Sequence, residues 1–548
     1  MREIDRETTA RYSIPSLLLM ETAAQSSLRA IGLRFPDGLR RRRALVLCGR
    51  GNNGGDGAAL ARLLWLAGVQ TGVILFGRVE DTKGDARTNF EIARSLSRFD
   101  AGTQTLPPPL SFTECESDSR WEEISAGHHP YDIIVDALIG TGPARPLAGV
   151  YLKVAEHLSL MRRARERAHG HGPLIISLDI PSGLNADSPE LIGYTVCADL
   201  TISFTAPKRA NVLPPASDYN GQLEIADIGS PPSLLDAAAS NLFLVEEEDA
   251  RVWLKATRYL PGSYKNMHGH VFIFAGSRGM TGAATLVSNA AMRAGAGLVT
   301  VATPLSAQQS IAARTMPEVM TEGLAETEGG ALSHEAIAKA KELMTRADAV
   351  AIGPGLTRED ESTRRFVREV VEGVSAPLVI DADGLNALAP WPEDLRGSSE
   401  RPLILTPHQG EMLRLLGATA RDALHDRVRV ASEFAAKHNL ILVLKGARTI
   451  IAAPDGRVFI NPTGNAGLGT AGAGDTLTGI ITGFLAQAQA TLKDKADALS
   501  AVLAAVYVGG LAGDLCAREL GMRTMTASDI REHLSAAILK LDAEGERP

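Results

Sequence analysis

The chain has 548 residues, which is long for a single hydrophobic core and predicts two or three domains. Hydrophobic residues make up 45% and charged residues 22% of the sequence, as in ordinary globular enzymes. The formal net charge of −8 at pH 7 argues against a general nucleic-acid-binding protein.

The N-terminal region and the cysteines bear on location. The first twenty residues mix acids and bases around a very short apolar run, so we predict no signal peptide. The four cysteines, Cys48, Cys115, Cys197 and Cys516, lie far apart and form no metal-ligand spacing, which fits a reducing compartment. No stretch approaches the roughly 18 uncharged apolar residues expected of a membrane helix. We therefore expect a cytoplasmic protein without a membrane partner.

Residues 1–235 alternate between short apolar runs and helical patterns. The apolar runs lie at residues 44–48, 72–76, 132–138, 174–179 and 200–204. Strands and helices in this order predict a parallel sheet covered by helices, a doubly wound, Rossmann-like α/β domain. Residues 101–130 interrupt the pattern, and we predict an irregular, proline-containing insertion there. Ligands of such sheets bind at the carboxyl ends of the strands.

The first strand is followed by GRGNNGGDG at residues 49–57, which we place in the turn before a helix. It contains GxGxxG, so one interpretation is an ordinary dinucleotide-binding turn. However, no acidic residue ends the second strand, where Gly77 and Arg78 follow instead. Asn and Asp oxygens in this turn suit a hard monovalent cation, while glycine N–H groups suit a phosphate.

Two further strand ends carry acids. Asp136 precedes a glycine-rich loop that contains Arg145, and this pairing suits a proton acceptor beside a phosphate clamp, although Asp136 as a simple turn cap is equally compatible. Asp179 ends the next strand and is followed by Ser182. Three such loops at one sheet edge favour a shared site. The residues do not decide whether Asp136 or Asp179 carries a proton.

Residues 236–548 repeat the alternation and predict a second doubly wound domain, with a helix beginning in residues 245–254 and two C-terminal helices at 498–517 and 528–541. One local echo links the halves, because DIPSGLNA from Asp179 and DADGLNA from Asp381 both follow an apolar strand. We interpret this similarity as the same kind of strand-end turn occurring in both halves, and not as a duplication.

The second domain is organised around NAGLGTAGAGD at residues 465–475, after a predicted hairpin and before an apolar helix. Glycine N–H groups and the helix N-terminus form an anion cradle. Asp475 is either a helix N-cap or a carboxylate that takes a proton from a substrate hydroxyl, and the glycine-rich context favours the second. Gly479 and Gly483 predict a close approach to a neighbouring helix.

Two other strand ends point to the same site. His408, in TPHQGE directly after a strand, favours a ligand contact over a structural role. Lys445 ends a strand before Gly446, and we expect its ammonium to meet phosphate.

In its combination of NNGGDG, DALIGTG and DIPSGLNAD, the first half resembles the YjeF N-terminal domain family, the NAD(P)H-hydrate epimerases. That resemblance implies interconversion of the R and S epimers at C6 of the hydrated nicotinamide ring in NADHX and NADPHX. It implies a K⁺ site at Asn53, Asp136 and Ser182, and we take Asp136 as a catalytic candidate. The implied substrate contacts are Asn52, Asn53, Gly54, Gly55, Asp56, Gly140, Thr141, Gly142, Pro143, Ala144, Arg145, Pro146 and Asp179.

In GAGD at 472–475, GPG at 353–355, PHQGE at 407–411 and KGART at 445–449, the second half resembles the ribokinase-like ADP/ATP-dependent NAD(P)H-hydrate dehydratases. That resemblance implies Mg²⁺ with ADP or ATP, without deciding between the nucleotides. The implied hydrate contacts are Ala283, Gly355, His408 and Asp475. The implied nucleotide contacts are Lys445, Gly446, Ala447, Arg448, Thr449 and Gly474.

The two resemblances together imply a bifunctional NAD(P)H-hydrate repair enzyme and a homo-oligomer. The implied dehydration begins when Asp475 takes the proton of the C6 hydroxyl, which attacks the terminal phosphate of the nucleotide. Phosphate then leaves as the ring nitrogen donates its electron pair. Hydroxide is a poor leaving group, which explains why a dehydration consumes a nucleotide.

Two alternatives remain. The first is a ribokinase-like small-molecule kinase fused to a dinucleotide-binding module, which would share the GAGD loop. The second is a non-catalytic binding or scaffold protein, against which the retained Asp136, Asp179 and NNGGDG loop argue.

Overall fold

The chain folds into two compact units, residues 1–239 and 240–548, in a computed structural model that describes residues 1–98, 110–127, 131–142, 144–168, 172–357 and 360–544. We call these units unit 1 and unit 2. The sequence places the domain boundary at residue 235, four residues before the boundary between the compact units (239 − 235 = 4).

Unit 1 contains a seven-stranded, entirely parallel sheet in the order β3-β2-β1-β4-β5-β6-β7. Its strands are β1 Arg43–Cys48, β2 Gln70–Leu75, β3 Ser111–Glu114, β4 Ile133–Ala137, β5 Leu174–Leu178, β6 Leu200–Phe204 and β7 Gln222–Ala226. Its helices are α1 Arg2–Tyr12, α2 Ser16–Gly32, α3 Asn52–Leu66, α4 Gly84–Ser97, α5 Asp118–Ser125, α6 Val150–Arg167, α7 Arg209–Val212 and α8 Pro232–Asp236. The central strands are buried on both faces, as their continuous apolar runs require.

Unit 2 contains a ten-stranded sheet in the order β11-β10-β9-β12-β13-β14-β15-β16-β17-β8. Its strands are β8 Leu242–Leu244, β9 His270–Phe274, β10 Leu298–Pro304, β11 Val319–Leu324, β12 Ala349–Ile352, β13 Leu378–Ile380, β14 Leu403–Leu405, β15 Ile441–Leu444, β16 Ile450–Ala452 and β17 Val458–Ile460. β16 runs antiparallel to both β15 and β17, which forms the predicted hairpin, and the remaining pairs are parallel.

The helices of unit 2 cover both faces of this sheet. They are α9 Glu247–Ala256, α10 Thr281–Arg293, α11 Leu305–Ala312, α12 Ile337–Met344, α13 Glu361–Gly373, α14 Ala382–Ala387, α15 Gln409–Leu415, α16 Arg427–His438, α17 Ala473–Leu492, α18 Ala498–Leu520, α19 Ala527–Glu532 and α20 Leu534–Glu544. The predicted fold class, two α/β units with parallel sheets, is confirmed.

Three predictions about local structure were wrong. Residues 101–130 are not irregular throughout, because edge strand β3 and helix α5 form there, while residues 101–109 and 128–130 lie outside the described part. Residues 52–57 belong to helix α3 rather than to a turn, which leaves only residues 49–51 as the loop. The glycines of this segment provide room for packing: a Cβ on Gly54 would lie 1.8 Å from the carbonyl oxygen of Gly49.

The third wrong prediction concerns membrane-length helices. Helix α18 is long and apolar enough to cross a membrane by length and composition, but 83% of its apolar window is buried inside the structure. Such burial is typical of a core helix, which the structure shows to be packed against α9, α17 and α20.

The close helix approach predicted for Gly479 and Gly483 is present between α17 and α10. A Cβ on Gly479 would lie 2.2 Å from the backbone oxygen of Val287, and one on Gly483 would lie 3.0 Å from that of Ala291. On the other side of α17, Phe484 stacks on Trp253 with ring centroids 4.0 Å apart. Helix α17 is therefore packed closely against both α10 and α9.

We predict that Gly479→Ala destabilises unit 2, because the added methyl group overlaps the Val287 carbonyl. Overpacking costs about 1–3 kcal/mol and outweighs the gain of about 1 kcal/mol in helix propensity. The free energy of unfolding of unit 2, measured by denaturant titration, checks this. Gly282→Ala in α10 is the matched control, since its added methyl group meets no atom within 4 Å. Equal stability of Gly479→Ala and the unsubstituted protein would contradict the close approach.

Candidate active sites

In unit 1 the predicted residues gather where β4 and β5 end. Asp136 is fully buried and accepts hydrogen bonds from Ser177 Oγ at 2.8 Å, Ser182 N at 2.9 Å, Ser182 Oγ at 2.6 Å and Leu138 N at 3.3 Å. Burial raises the pKa of Asp136, and the hydrogen bonds from Ser182 and Ser177 oppose this increase. Since both oxygens are occupied, Asp136 is built to hold the loop rather than to exchange protons.

Asp179 and Asn53 meet beside Gly140. A Cβ on Gly140 would lie 3.0 Å from Asp179 Oδ2 and 3.2 Å from Asn53 Oδ1, so a larger residue would crowd both side chains. Asp179 Oδ2 also accepts a hydrogen bond from the backbone N–H of Thr141 at 3.3 Å. The Asn53 amide is buried, and neither its oxygen nor its nitrogen has a partner among the described residues. An orphaned buried amide indicates a site for a ligand or ion.

The remaining predicted residues of unit 1 fall into two groups. Gly54 and Gly55 face neighbouring backbone instead of open space, whereas Asn52 is exposed at the start of α3. The loop after β4 has six described members in the predicted set, and four of them are exposed: Gly142, Ala144, Arg145 and Pro146. Gly140 is buried and Thr141 half-buried. Pro143 lies outside the described residues.

Sequence reasoning missed two residues of this site. Lys208 is buried and forms an ion pair with Asp179. Asp5, in the N-terminal helix α1, is half-buried, and burial raises its pKa. The only sequence signal for Lys208 is a lone lysine after the buried strand β6. Asp5 has no sequence signal, because its position depends on where α1 packs.

In unit 2 the glycine-rich stretch leads directly into α17. The N-cap of α17 is Gly472, in the left-handed region at φ 83°, so Asp475 is not the cap and lies in the first turn. Among the described residues, the backbone N–H groups of Gly472, Gly474 and Asp475 have no hydrogen-bond partner. Three free donors at a helix N-terminus form a cradle for an anion.

The base of this cradle is a buried ion pair. Lys445 Nζ lies 2.7 Å from Asp381 Oδ1, and Thr478 of α17 donates a hydrogen bond of 2.7 Å to Asp381 Oδ2. A Cβ on Gly474 would lie 3.2 Å from Lys445 Nζ, which places the ammonium against the first turn of α17. Burial opposes ionisation of Asp381, but Lys445 overcomes it and lowers the pKa of Asp381.

Asp475 is the unpaired carboxyl group of this cluster. Burial raises the pKa of Asp475 to about 7, with a further increase from Asp381 and smaller ones from Asp383 and Glu411, against the opposing effect of Lys445. Asp475 therefore changes its charge near neutral pH, as a general base requires.

The predicted hydrate contacts occupy the same end of the sheet. Ala283, in the first turn of α10, and Gly355 touch, because a Cβ on Gly355 would lie 3.0 Å from that of Ala283. His408 caps α15, and its Nδ1 accepts from the N–H groups of Gly410 at 2.9 Å and Glu411 at 3.3 Å. The imidazole is thus fixed, with Nε2 3.5 Å from Glu411 Oε1, and the His408 side chain is more than half exposed. His408 therefore caps α15, and its exposed side chain can also contact a ligand.

The predicted nucleotide contacts 445–449 form the turn between β15 and β16. Arg427 of α16 lies beneath this turn and hydrogen-bonds the backbone oxygens of Ala447 at 3.5 Å and Arg448 at 3.4 Å. Arg448 bonds the backbone oxygen of Pro462, and Thr449 that of Gly446 at 3.3 Å. The turn is therefore held rigid next to the cradle.

These two sites define an α/β enzyme that handles nucleotides in two separate units. The chain is 40% identical over 546 residues to the bifunctional NAD(P)H-hydrate repair enzyme Nnr of Moorella thermoacetica, covering 100% of this chain and 97% of that protein. It belongs to the family of bifunctional NAD(P)H-hydrate repair enzymes. The predicted family and its function, repair of hydrated nicotinamide coenzymes, are confirmed.

Further comparisons cover parts of the chain and the whole of it. Residues 16–210 match the family model for the YjeF-related protein N-terminus, and residues 271–536 match that for NAD(P)H-hydrate dehydratase. The repair enzyme Nnr of Escherichia coli K12 is 32% identical over 532 residues, 97% of this chain and 91% of that protein. A Bacillus subtilis ADP/ATP-dependent NAD(P)H-hydrate dehydratase co-crystallized with ATP/Mg²⁺ is 33% identical, with a TM-score of 0.47, covering 55% of this chain and 100% of that one.

We predict that Lys445→Met destabilises unit 2 by about 3 kcal/mol, because it leaves the Asp381 carboxylate buried without its cation. The double variant Asp381→Asn/Lys445→Met should recover most of this loss, since no unpaired charge remains. Thermal and denaturant unfolding of the full chain measure both. A destabilisation that the second substitution does not relieve would show that the ion pair is not its source.

Proposed function

We propose that unit 2 dehydrates the S epimer of NADHX and NADPHX at the expense of ADP or ATP, and that unit 1 interconverts the R and S epimers. The observation that carries the first assignment is the position of Asp475, a carboxyl group with a pKa near neutrality beside three free N–H groups at the start of α17. A base and an anion cradle in contact are what transfer of a phosphoryl group to a hydroxyl requires.

In the proposed dehydration, Asp475 takes the proton of the C6 hydroxyl, and the hydroxyl oxygen attacks the terminal phosphorus of the nucleotide. The N–H groups of Gly472 and Gly474 and the ammonium of Lys445 stabilise the charge on the phosphoryl oxygens. The substrate phosphate ester then eliminates phosphate, as the electron pair of the ring nitrogen forms the new double bond. Ala283, Gly355 and His408 line the hydrate side in this proposal.

Mg²⁺ bound with the nucleotide would supply further neutralisation of phosphate charge. Within the described ranges no group of three or more His, Cys, Asp or Glu residues could hold a metal ion by itself. This donor set fits Mg²⁺ carried mainly by nucleotide oxygens and water, its usual state in phosphoryl-transfer sites.

The K⁺ site that we propose for unit 1 involves Asn53, Asp136 and Ser182. The observation that supports this site is the buried Asn53 amide, whose oxygen and nitrogen have no partner among the described residues beside Gly140. The cation would supply a fixed positive charge to the substrate loop. The cytoplasmic location and the homo-oligomer stay predictions.

The decisive experiment incubates the full chain with NADHX and follows the absorbance of reduced nicotinamide. We expect absorbance to return only when ADP or ATP is present, and the R epimer to be consumed along with the S epimer. A stable phosphorylated product without recovery of NADH would instead indicate a small-molecule kinase.

We predict that Asp475→Asn lowers the dehydration rate by about 10³-fold, because the hydroxyl proton loses its acceptor. Epimerisation, measured chromatographically without nucleotide, should be unchanged. Asp494→Asn, at an exposed position of the same unit, is the control. Equal loss of both activities in Asp475→Asn would argue against separate sites.

We predict that the dehydratase kcat/KM rises with pH and levels off above about pH 7, since Asp475 with its raised pKa accepts a proton only when ionised. Below that pH the rate should fall about tenfold per pH unit, as expected for one titrating base. A pH–rate profile on S-NADHX measures this. A rate independent of pH between 5 and 8 would exclude Asp475 as the base.

A further inference from the structure

The ammonium of Lys208 is the one buried cation among the described residues of unit 1, and all three of its hydrogens are occupied. It pairs with Asp179 Oδ1 and donates hydrogen bonds to Ser203 Oγ at 3.0 Å and to the backbone oxygen of Phe204 at 2.9 Å. The side chains of Lys208 and Asp179 are only 5% and 11% exposed. A lysine with three acceptors and little solvent holds one fixed position.

This position determines where the Asp179 carboxylate points. Asp179 has a φ of 67°, a left-handed conformation that is uncommon for a residue with a side chain. With Oδ1 held by Lys208, Oδ2 faces Thr141 and the orphaned amide of Asn53 across Gly140. The free side of Asp179 is therefore directed at the loop predicted to bind the substrate.

Two further carboxyl groups share this environment. Asp56 of α3 interacts electrostatically with Asp179, Asp5 and Lys208, and burial followed by Asp179 raises the pKa of Asp56 far above its usual range. Burial also raises the pKa of Asp5, which Lys208 opposes. The Lys208 ammonium is bonded to Asp179 and not to Asp56 or Asp5.

We propose that Lys208 is a positioning residue that fixes Asp179 as the proton acceptor of the unit 1 site. This inference rests on the proposed epimerase function of unit 1. Lys208 acts only through Asp179 and contacts no substrate. Asp136, whose oxygens are saturated by Ser177, Ser182 and Leu138, takes no part in proton transfer.

The chemistry balances without a further reactant. Asp179 takes the proton of the C6 hydroxyl, the bond from C6 to the ring nitrogen breaks, and its electron pair moves to that nitrogen, which receives the same proton from Asp179. The open form carries an aldehyde group, which rotates about its bond to the ring-derived chain. Attack of the nitrogen on the other face reverses each step, with Asp179 returning the proton to the oxygen.

The test is Lys208→Met in the full chain, assayed for conversion of R-NADHX to its S epimer by chromatography without nucleotide. We expect kcat to fall by about 100-fold, with KM changed less than about threefold. A merely structural lysine would lower the amount of folded protein without lowering the kcat of the folded fraction, so this split between kcat and KM separates the two roles.

Two controls accompany this variant. Lys153→Met removes an exposed lysine that pairs with Asp118 and Glu122 on the surface of the same unit, and its epimerisation should equal that of the unsubstituted protein. ADP-dependent dehydration of S-NADHX by Lys208→Met should be retained, since unit 2 is unchanged. An unsubstituted protein without epimerisation would refute the proposed function itself, whereas epimerisation unaffected by Lys208→Met would refute only the role of Lys208.

If Lys208→Met does not fold, Lys208→Ala is assayed with added ethylammonium, which fits the space left by the lysine side chain. Recovery of epimerisation by at least about tenfold over equal ionic strength of NaCl would support a role of the buried charge. Failure of the cation to restore activity in a folded Lys208→Ala protein would overturn the proposal.

Discussion

The structure of both sites depends on one constraint: a buried carboxylate must be paired with a cation or keep its proton. In unit 1, Lys208 pairs with Asp179 and leaves Asp56 unpaired; in unit 2, Lys445 pairs with Asp381 and leaves Asp475 unpaired. Each unit thus contains one carboxyl group paired with a lysine and one whose pKa is raised, chiefly by burial.

The local echo in the sequence acquires a physical meaning from this arrangement. Asp179 and Asp381 are the first residues of the two similar segments, and each binds the buried lysine of its unit. Left-handed backbone occurs at Asp179 in one segment and at Ala382 in the other. The two turns therefore differ slightly in backbone conformation, but each places a carboxylate directly after a parallel strand.

Sequence reasoning predicted the alternation of strands and helices, the two units and the acidic strand ends, because burial on both faces of a parallel sheet imposes continuous apolar runs. It could not predict Lys208 or Asp5, whose roles depend on contacts between distant segments. It also misplaced residues 52–57, because glycines that allow close packing within a helix look the same in sequence as glycines that free a loop. Helix α18 shows the same limit, since composition does not reveal what surrounds an apolar helix.

The glycine contact between α17 and α10 has a mechanical consequence. Asp475 lies at the start of α17 and Ala283 at the start of α10. At Gly479 the two helix backbones pack directly against each other, because glycine places no side-chain carbon between them. With no compressible layer between them, the start of α17, where we propose the nucleotide binds, and the start of α10, where we propose the hydrate binds, form a single rigid block. Any movement during the proposed reaction must then come from the surrounding turns. The distance between the proposed base and the proposed substrate position is set by the packing of α17 against α10.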